Sequence, residues 1–445
     1  MKGYPEYKDS GIEWLGRIPK HWNTDKFCRV SYMKGRIGWQ GLKQSEFVDD
    51  LSLPYLITGM NFKNGVINWE EVYHITEERY AEAPEIQLQN DDVLMTKDGT
   101  IGKLLYVDHL PNKTSLNSHL LVLRPLDKKF VPRFIYYELQ SEHFKNHVEQ
   151  VKTGTTFYGI TQEGTGQFKV LLPPIIEQSQ IATFLDNKSR QIDNLIAKKQ
   201  KLIELLQEER TALINQVVTK GLDPTVPMKD SGIEWLGEIP ANWEVTKLKY
   251  KAKIINGSTP DTGNAEYWDG NIKWVTPSDI SKSNTIEISD SIRKITELGL
   301  ANCGTNLIPQ NSIILTTRAP IGNLAINSLE LCTNQGCKAI VPLNGNPYFY
   351  YYQILNFSDV LVSLGSGTTF KELSTPALSD FMVATPPIPE QSEIASFLSR
   401  KNDEISGTIK FEERQIEHLI EYKTSLINEA VTGKIDIGDY QINHA

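Results

Sequence analysis

The sequence has no stretch of 18 apolar residues, whereas a transmembrane helix needs about 20, so no membrane span is expected. Residues Met1 to Ser10 are polar and lack an apolar core, which argues against a secretory signal. Cysteine is scarce: Cys28, Cys303, Cys332 and Cys337, none in a C-x-x-C pair. Four thiols in 445 residues exclude a disulfide scaffold, and reduced cysteines in a cytoplasmic protein are expected. A basic surplus is also missing: 46 Lys and Arg face 55 Asp and Glu, a net charge of -9. By region, residues 1–176 carry -1 and residues 390–432 carry -4. Charge therefore lends no support to nucleic-acid binding, whose usual footprint is basic.

Catalytic constellations are absent as well. A methyltransferase would need an Asn/Asp-Pro-Pro-Tyr/Phe type motif to hold a flipped base. Here the prolines read Leu172-Pro173-Pro174-Ile175 and Thr385-Pro386-Pro387-Ile388. No G-x-x-x-x-G-K-[ST] loop occurs, so no P-loop is predicted. Asp127-Lys128-Lys129 has the D-x-K spacing of a nuclease fragment without an upstream acid, and the eight histidines are scattered. No metal site and no cofactor are expected in this chain.

What is present is a chain written twice. KDSGIEWLGRIPKHWN (8–23) matches KDSGIEWLGEIPANWE (229–244) at twelve of sixteen positions, offset 221. PPIIEQSQIATFL (173–185) matches PPIPEQSEIASFL (386–398) at offset 213, as do TGTTF (153–157) with SGTTF (366–370) and LINQVVT (213–219) with LINEAVT (426–432). Between these frames only a skeleton persists, DVLMTKDGTIGKLLYV (92–107) against SIILTTRAPIGNLAIN (312–327). Each copy has a fixed opening motif, a variable body and a fixed closing segment. Trp14, Trp22, Trp235 and Trp243 of the opening motifs are read as framework packing.

The closing segments have helical periodicity. Ile181, Leu185, Ile192, Leu195, Leu202, Leu206, Leu213 and Val217 predict a seam on a helix over 177–219, interrupted at Lys199 and Glu209. Ile394, Leu398, Ile405, Ile409, Ile416, Leu419, Leu426 and Ala430 do the same over 390–432, with Gly407 a candidate kink. Prolines precede each helix and Gly221 and Gly433 follow them, as start and stop signals should. Helices of about 60 Å need a partner. The second body joins the end of one to the start of the other, so an antiparallel, coiled-coil-like pair is expected. The N-terminal copy should then lie near the C-terminus, in a pseudo-two-fold, nearly circular layout. Two unlike heads on a spacer suit two unlike half-sites on DNA, about 34 Å apart per helical turn.

The tandem layout and the motifs GIEWLGxIPxxW, PPIxEQxxIAxFL and LINxxVTxG resemble the specificity subunit of type I restriction-modification systems, over essentially the whole chain. The resemblance implies two α/β (α+β) target-recognition domains on double-stranded DNA. It further implies that the helices set the spacer and dock two adenine-methyltransferase (modification) subunits using S-adenosylmethionine. Motor-nuclease restriction subunits, with ATP and Mg, would join that core. The chain itself would be non-catalytic. The expected boundaries are 1–172 and 222–385 for the recognition domains, 173–221 and 386–433 for the helices, and 434–445 for a tail. A protein-binding scaffold without DNA specificity is the alternative, and a self-sufficient enzyme a third class.

Candidate DNA contacts lie in loops. Lys34, Arg36, Trp39 and Gln40 combine cations, an amide and an aromatic, and Arg and Gln can read guanine and adenine edges; a solvated turn is the competing reading. Lys97, Asp98 and Lys103 flank one strand-turn-strand, and Arg318 lies in its register-matched twin; Lys97 and Arg318 occur one after the other in these turns, so that one contact role for both is the functional reading and turn structure the competing one. The Gly-Thr loops contribute Lys152, Thr155, Thr156 and Tyr158 in the first copy and Thr368, Thr369 and Lys371 in the second, as phosphate contacts or structural turns. Ser258, Thr259 and Lys338 complete the set.

Overall fold

The computed structural model describes residues 2–36, 42–63, 66–98, 101–153, 159–283, 285–318, 320–367 and 371–438. The chain divides into two compact units, Met1–Lys199 with Arg414–Ala445, and Gln200–Glu413. Each unit therefore owns one half of each long helix.

In the first unit a four-stranded antiparallel sheet runs in the order Leu104–Tyr106, Val93–Thr96, Leu120–Pro125, Ser31–Lys34. Alternate strand residues point to opposite faces. Val93, Met95, Leu121 and Leu123 enter a core shared with the helix Pro132–Glu138 and the long helices. Leu94, Leu120 and Val122 enter a second core. That core is closed by the three-stranded sheet Thr114–Leu116, Tyr55–Ile57, Tyr73–His74. Burial on both faces explains why these strands read as continuous apolar runs rather than alternating ones.

The second unit repeats the plan with five strands, Ala252–Asn256, Cys337–Pro342, Ile313–Thr316, Leu324–Asn327 and Glu287–Ile288. Ile313, Leu315, Ile326 and Ile340 face the helix-side core, and Ile314, Ala325 and Ala339 face the other. A three-stranded sheet, Arg293–Ile295, Trp268–Val275, Cys332–Thr333, completes it.

The long helices are Ile175–Lys220, 46 residues, and Ile388–Val431, 44 residues, each about 65–70 Å at 1.5 Å per residue. The second runs unbroken through Gly407. In the first unit Ile181 and Leu185 from the start of one helix share a core with Leu426, Ile427 and Ala430 from the end of the other. Lys423 Nζ bonds Asp193 at 2.7 Å across that pair. In the second unit Ile214 and Val217 meet Ile394 and Leu398. Start against end is the pairing antiparallel helices require.

The seam differs from the expected one in its middle. Leu195 and Leu202 are 43% and 40% exposed, whereas Ile192, Ile196, Lys199, Ile203, Leu206 and Arg210 are the less exposed positions. These follow 4-3 spacing from Ile192; Leu195 and Leu202 lie on the adjacent stripe. On the second helix Ile405, Ile409, Glu412, Ile416, Leu419, Lys423 and Leu426 form the corresponding line. Lys199 is thus a member of the seam rather than an interruption, whereas Glu209 is exposed and off it. Leu213 is half-buried.

The repeated motifs form one joint, built twice. Glu177 accepts bonds from Trp22 Nε1 (2.8 Å) and the Tyr4 hydroxyl (2.7 Å) and bonds His21, and Glu390 accepts from Trp243 Nε1 at 3.0 Å. Gln178 accepts from the Val131 N–H at 2.8 Å and donates to the Pro173 carbonyl at 2.8 Å. Gln391 repeats this with Asn346 and Pro386. Trp22 and Trp243 are fully buried, Trp235 stacks on Phe381, and Trp14 donates to His143. The framework role expected of these tryptophans holds. Gly433 has φ +69°, and a Cβ there would lie 2.4 Å from Pro19, so the end of the second helix closes onto the first opening motif. The segment beyond it is structural: Ile435 and Ile437 are buried in the first core, and Asp436 N–H donates to the Lys2 carbonyl at 2.8 Å. The two ends of the described chain therefore meet.

Candidate nucleic-acid interface

In each unit the skeleton strand pair ends in a turn, and the two turns are wired identically. Gly102 N–H donates to the Thr96 carbonyl and Lys103 N–H to the Thr96 hydroxyl, both at 3.0 Å. Gly322 and Asn323 repeat both bonds to Thr316 at 3.0 Å. The chain before each turn is gripped from two sides. Lys97 N–H donates to the His119 carbonyl (3.0 Å) and its carbonyl accepts from Ile160 (2.7 Å). Thr317 does the same with Gly336 (2.8 Å) and Leu373 (3.0 Å). Asx turns follow, Asn117 accepting from His119 N–H at 2.7 Å and Asn334 from Gly336 N–H at 2.9 Å.

This register pairs Asp98 with Arg318 and Lys97 with Thr317. Lys97 and Arg318 are thus one position apart rather than equivalent, and the shared contact role expected of them is replaced by the pair Asp98 and Arg318. The equivalent positions carry opposite charge. Asp98 bonds His119 Nδ1 at 2.7 Å, and Arg318 Nη2 bonds Glu372 at 2.9 Å. All four side chains are well exposed, from 38% for Glu372 to 60% for His119.

The remaining candidates divide. Lys34, Lys103 and Lys371 are exposed, and Lys97, Ser258 and Thr259 half-buried. Lys152 is half-buried and bonds Glu149. Arg36 is a correction to the loop reading: it is 2% exposed, with its guanidinium donating to the Leu116 carbonyl (2.8 Å) and the Ser115 hydroxyl (3.0 Å). Burial, then repulsion from Arg79, lowers its pKa. Lys338 is also an internal cation, 6% exposed and bonded to Asn256 at 3.2 Å, its pKa lowered by burial. Trp39, Gln40, Thr155, Thr156, Tyr158, Thr368 and Thr369 lie outside the described residues.

The structure adds residues that the motifs did not single out. In the first unit His119 and Asn117 share a cavity of about 590 Å³ with Asp98, Lys103 and the 79% exposed Met60. In the second, Gln335 accepts a bond from the Thr259 hydroxyl. The loop carrying Ser258 and Thr259 is held by two indoles, Trp274 donating to the Ser258 carbonyl (2.9 Å) and Trp268 to the Asp261 carbonyl (3.1 Å). Arg293 lies 3.6 Å over the Trp268 ring, which fixes that pair as a cation–π unit. A signal for the Asx turns existed in Asn117-Ser118-His119 and Asn334-Gln335-Gly336, at the intermediate offset 217. Among the described residues no group of three His, Cys, Asp or Glu could hold a metal ion, and no helix is long and apolar enough to cross a membrane.

Comparison with known proteins bears on this geometry. The chain is 39% identical over 178 residues to the MjaIX type I restriction enzyme specificity subunit of Methanocaldococcus jannaschii, covering 39% of this chain and 41% of that one. To a putative MjaX specificity subunit of the same organism it is 25% identical over 433 residues, 95% of this chain and 96% of that one. A structure described for complex assembly and conformational transition of the type I R-M system shares the fold at TM-score 0.73 and 14% identity, covering 94% and 99% of the two chains. The HsdS subunit of Thermoanaerobacter tengcongensis does so at 0.56 and 15%, covering 94% and 98%. The family model for the type I restriction modification DNA specificity domain matches residues 42–205 and 240–419, and the chain belongs to that family.

Proposed function

We propose that this chain is the sequence-reading subunit of a type I restriction-modification assembly, each unit reading one half of a bipartite, asymmetric site on double-stranded DNA. The helix pair sets the spacing of the half-sites and docks two adenine-methyltransferase (modification) subunits, with motor-nuclease subunits added for restriction. S-adenosylmethionine, ATP and Mg belong to those partners, and the chain acts without chemistry of its own in the cytoplasm. The observation that supports this best is identical backbone wiring in two turns that carry opposite charges at the matched position, Asp98 and Arg318. A scaffold used only for assembly has no need to hold two surface turns in register while changing their side chains. The wiring fixes geometry; base-edge recognition depends on the side chains displayed.

The test is a body exchange. Residues 24–172 are replaced by the corresponding body of another specificity subunit, and methylated adenines are mapped in cells carrying the assembly. One half-site should change while the other half and the spacer persist. A change in both halves would refute the assignment of one reader per unit.

A further inference from the structure

Resting on that reading, we infer that the matched turn position is where the two heads discriminate G·C pairs, Arg318 from the guanine side and Asp98 from the cytosine side. Arg318 carries a fork of donors suited to guanine O6 and N7 in the major groove, and a carboxylate there accepts from the cytosine amino group. Asp98 equally rejects guanine O6 and thymine O4, because an acceptor meets an acceptor; discrimination by repulsion is as effective as attraction. A carboxylate on a DNA-facing surface weakens binding to phosphates, and at this position it offers selectivity in return.

Three features of the structure support the assignment. Backbone bonds on both flanks hold residues 97 and 317 at the same place in the fold, so the side chains at 98 and 318 project from matched sites. Both are exposed and oriented by a partner, Asp98 by His119 through Oδ1 and Arg318 by Glu372 through Nη2. In the second unit a further polar side chain stands beside Arg318 on the Asx turn. Gln335 lies next to Gly336, whose carbonyl accepts from Thr317, and Thr259 steadies it by donating to one lone pair of Oε1, which leaves the second lone pair to accept and the amide N–H groups to donate. Gln335 so placed suits an adenine edge at the adjoining base pair.

The experiment is selection from a duplex library randomised across both half-sites, using the full chain in the assembly purified from its own cell, with bound duplexes sequenced. The native protein should enrich a bipartite motif with one G·C position attributable to each head. Arg318→Lys keeps the charge but loses the fork, so overall binding should persist while the guanine preference in one half falls about 5- to 150-fold. Asp98→Asn keeps the bond to His119 and should shift one position of the other half from C·G toward A·T. Gln335→Ala should relax a position adjoining that of Arg318. If the native assembly enriches a motif that Arg318→Lys and Asp98→Asn leave unchanged at every position, this inference is wrong and the sequence-reading function stands. If either variant alters both halves, the inference is again wrong. If the native assembly enriches no motif, the function itself fails.

Discussion

Glu138 offers a sharp test of how the two units are built. It is fully buried in the helix Pro132–Glu138, with Oε1 accepting from the Leu171 N–H at 2.6 Å. Its Oε2 meets no hydrogen-bond partner among the described residues. Desolvation raises its pKa well above 4.5, opposed only by that one backbone bond. The matched position in the second unit is a neutral amide: Gln353 donates to the carbonyl of Ala384, the counterpart of Leu171. The first unit thus holds a buried acid whose neutral form is favoured where the second holds glutamine. Because the folded pKa is raised, folded and unfolded forms are equally protonated below about pH 4, and the native state loses stability as pH rises through the unfolded value. Glu138→Gln should match the wild type near pH 4 and exceed it at higher pH. The gap should widen as pH rises above the ordinary carboxylate range, with a slope of at most about 1.4 kcal/mol per pH unit. His143, buried and pushed down to about 4, has the opposite dependence: its stability contribution is present above about pH 6.5 and falls as pH drops toward 4. It is common to both proteins, so it cancels in the difference. Urea unfolding of the full chain at pH 4, 5, 6, 7 and 8 measures the gap. Parallel curves, or a variant less stable at pH 7, would refute the reasoning.

Four other outcomes can be measured. Gly433→Ala places a Cβ 2.4 Å from Pro19 at φ +69° and should destabilise by at least about 1–2 kcal/mol in a thermal melt. Gly407→Ala meets nothing within 4 Å inside a helix and should stabilise by about 0.5–1 kcal/mol. Lengthening both long helices by four residues adds about 6 Å and should widen the gap between methylated half-sites by about one to two base pairs; an unchanged gap would count against the spacer role. Binding of the assembly to cognate duplex should weaken steeply with salt as counterions are released, and a flat response in a titration from 50 to 200 mM would contradict phosphate contact.

The architecture was readable because the repeat constrains it. Trp22 with Glu177 and Trp243 with Glu390 are the same joint, so the residues that had to persist were those buried or bonded in both copies. Proline and glycine at the helix ends located the long helices to within two residues at each end. The site was less legible. Arg36 stands in a Gly-rich stretch that resembles a surface loop, yet its guanidinium satisfies the Leu116 carbonyl; local composition cannot register a partner 80 residues away. The seam was displaced by one residue at Leu195 and Leu202 because leucine was favoured over the polar Lys199, although a long side chain can lie along a seam with its head in water. The Asx turns escape the repeat because their offset, 217, matches none of the offsets that align the repeated segments, 221, 220 and 213.

The acidity of the chain, which argued against DNA at first, becomes intelligible once readout and affinity are separated. Affinity for duplex DNA is mainly a matter of phosphate neutralisation and needs cations in number; readout needs only a few side chains at fixed places. This chain invests in the second. Arg36 and Lys338 are buried in the framework, and Arg318 is coupled to Glu372. The largest share of the surplus acid, -4 of -9, lies over residues 390–432 on the second long helix, the segment proposed to dock partners, with a further -3 over residues 220–389. If the proposed role holds, readout at a few fixed positions needs no basic surplus on this chain, and the phosphate contacts that supply affinity fall to the partners proposed to join it.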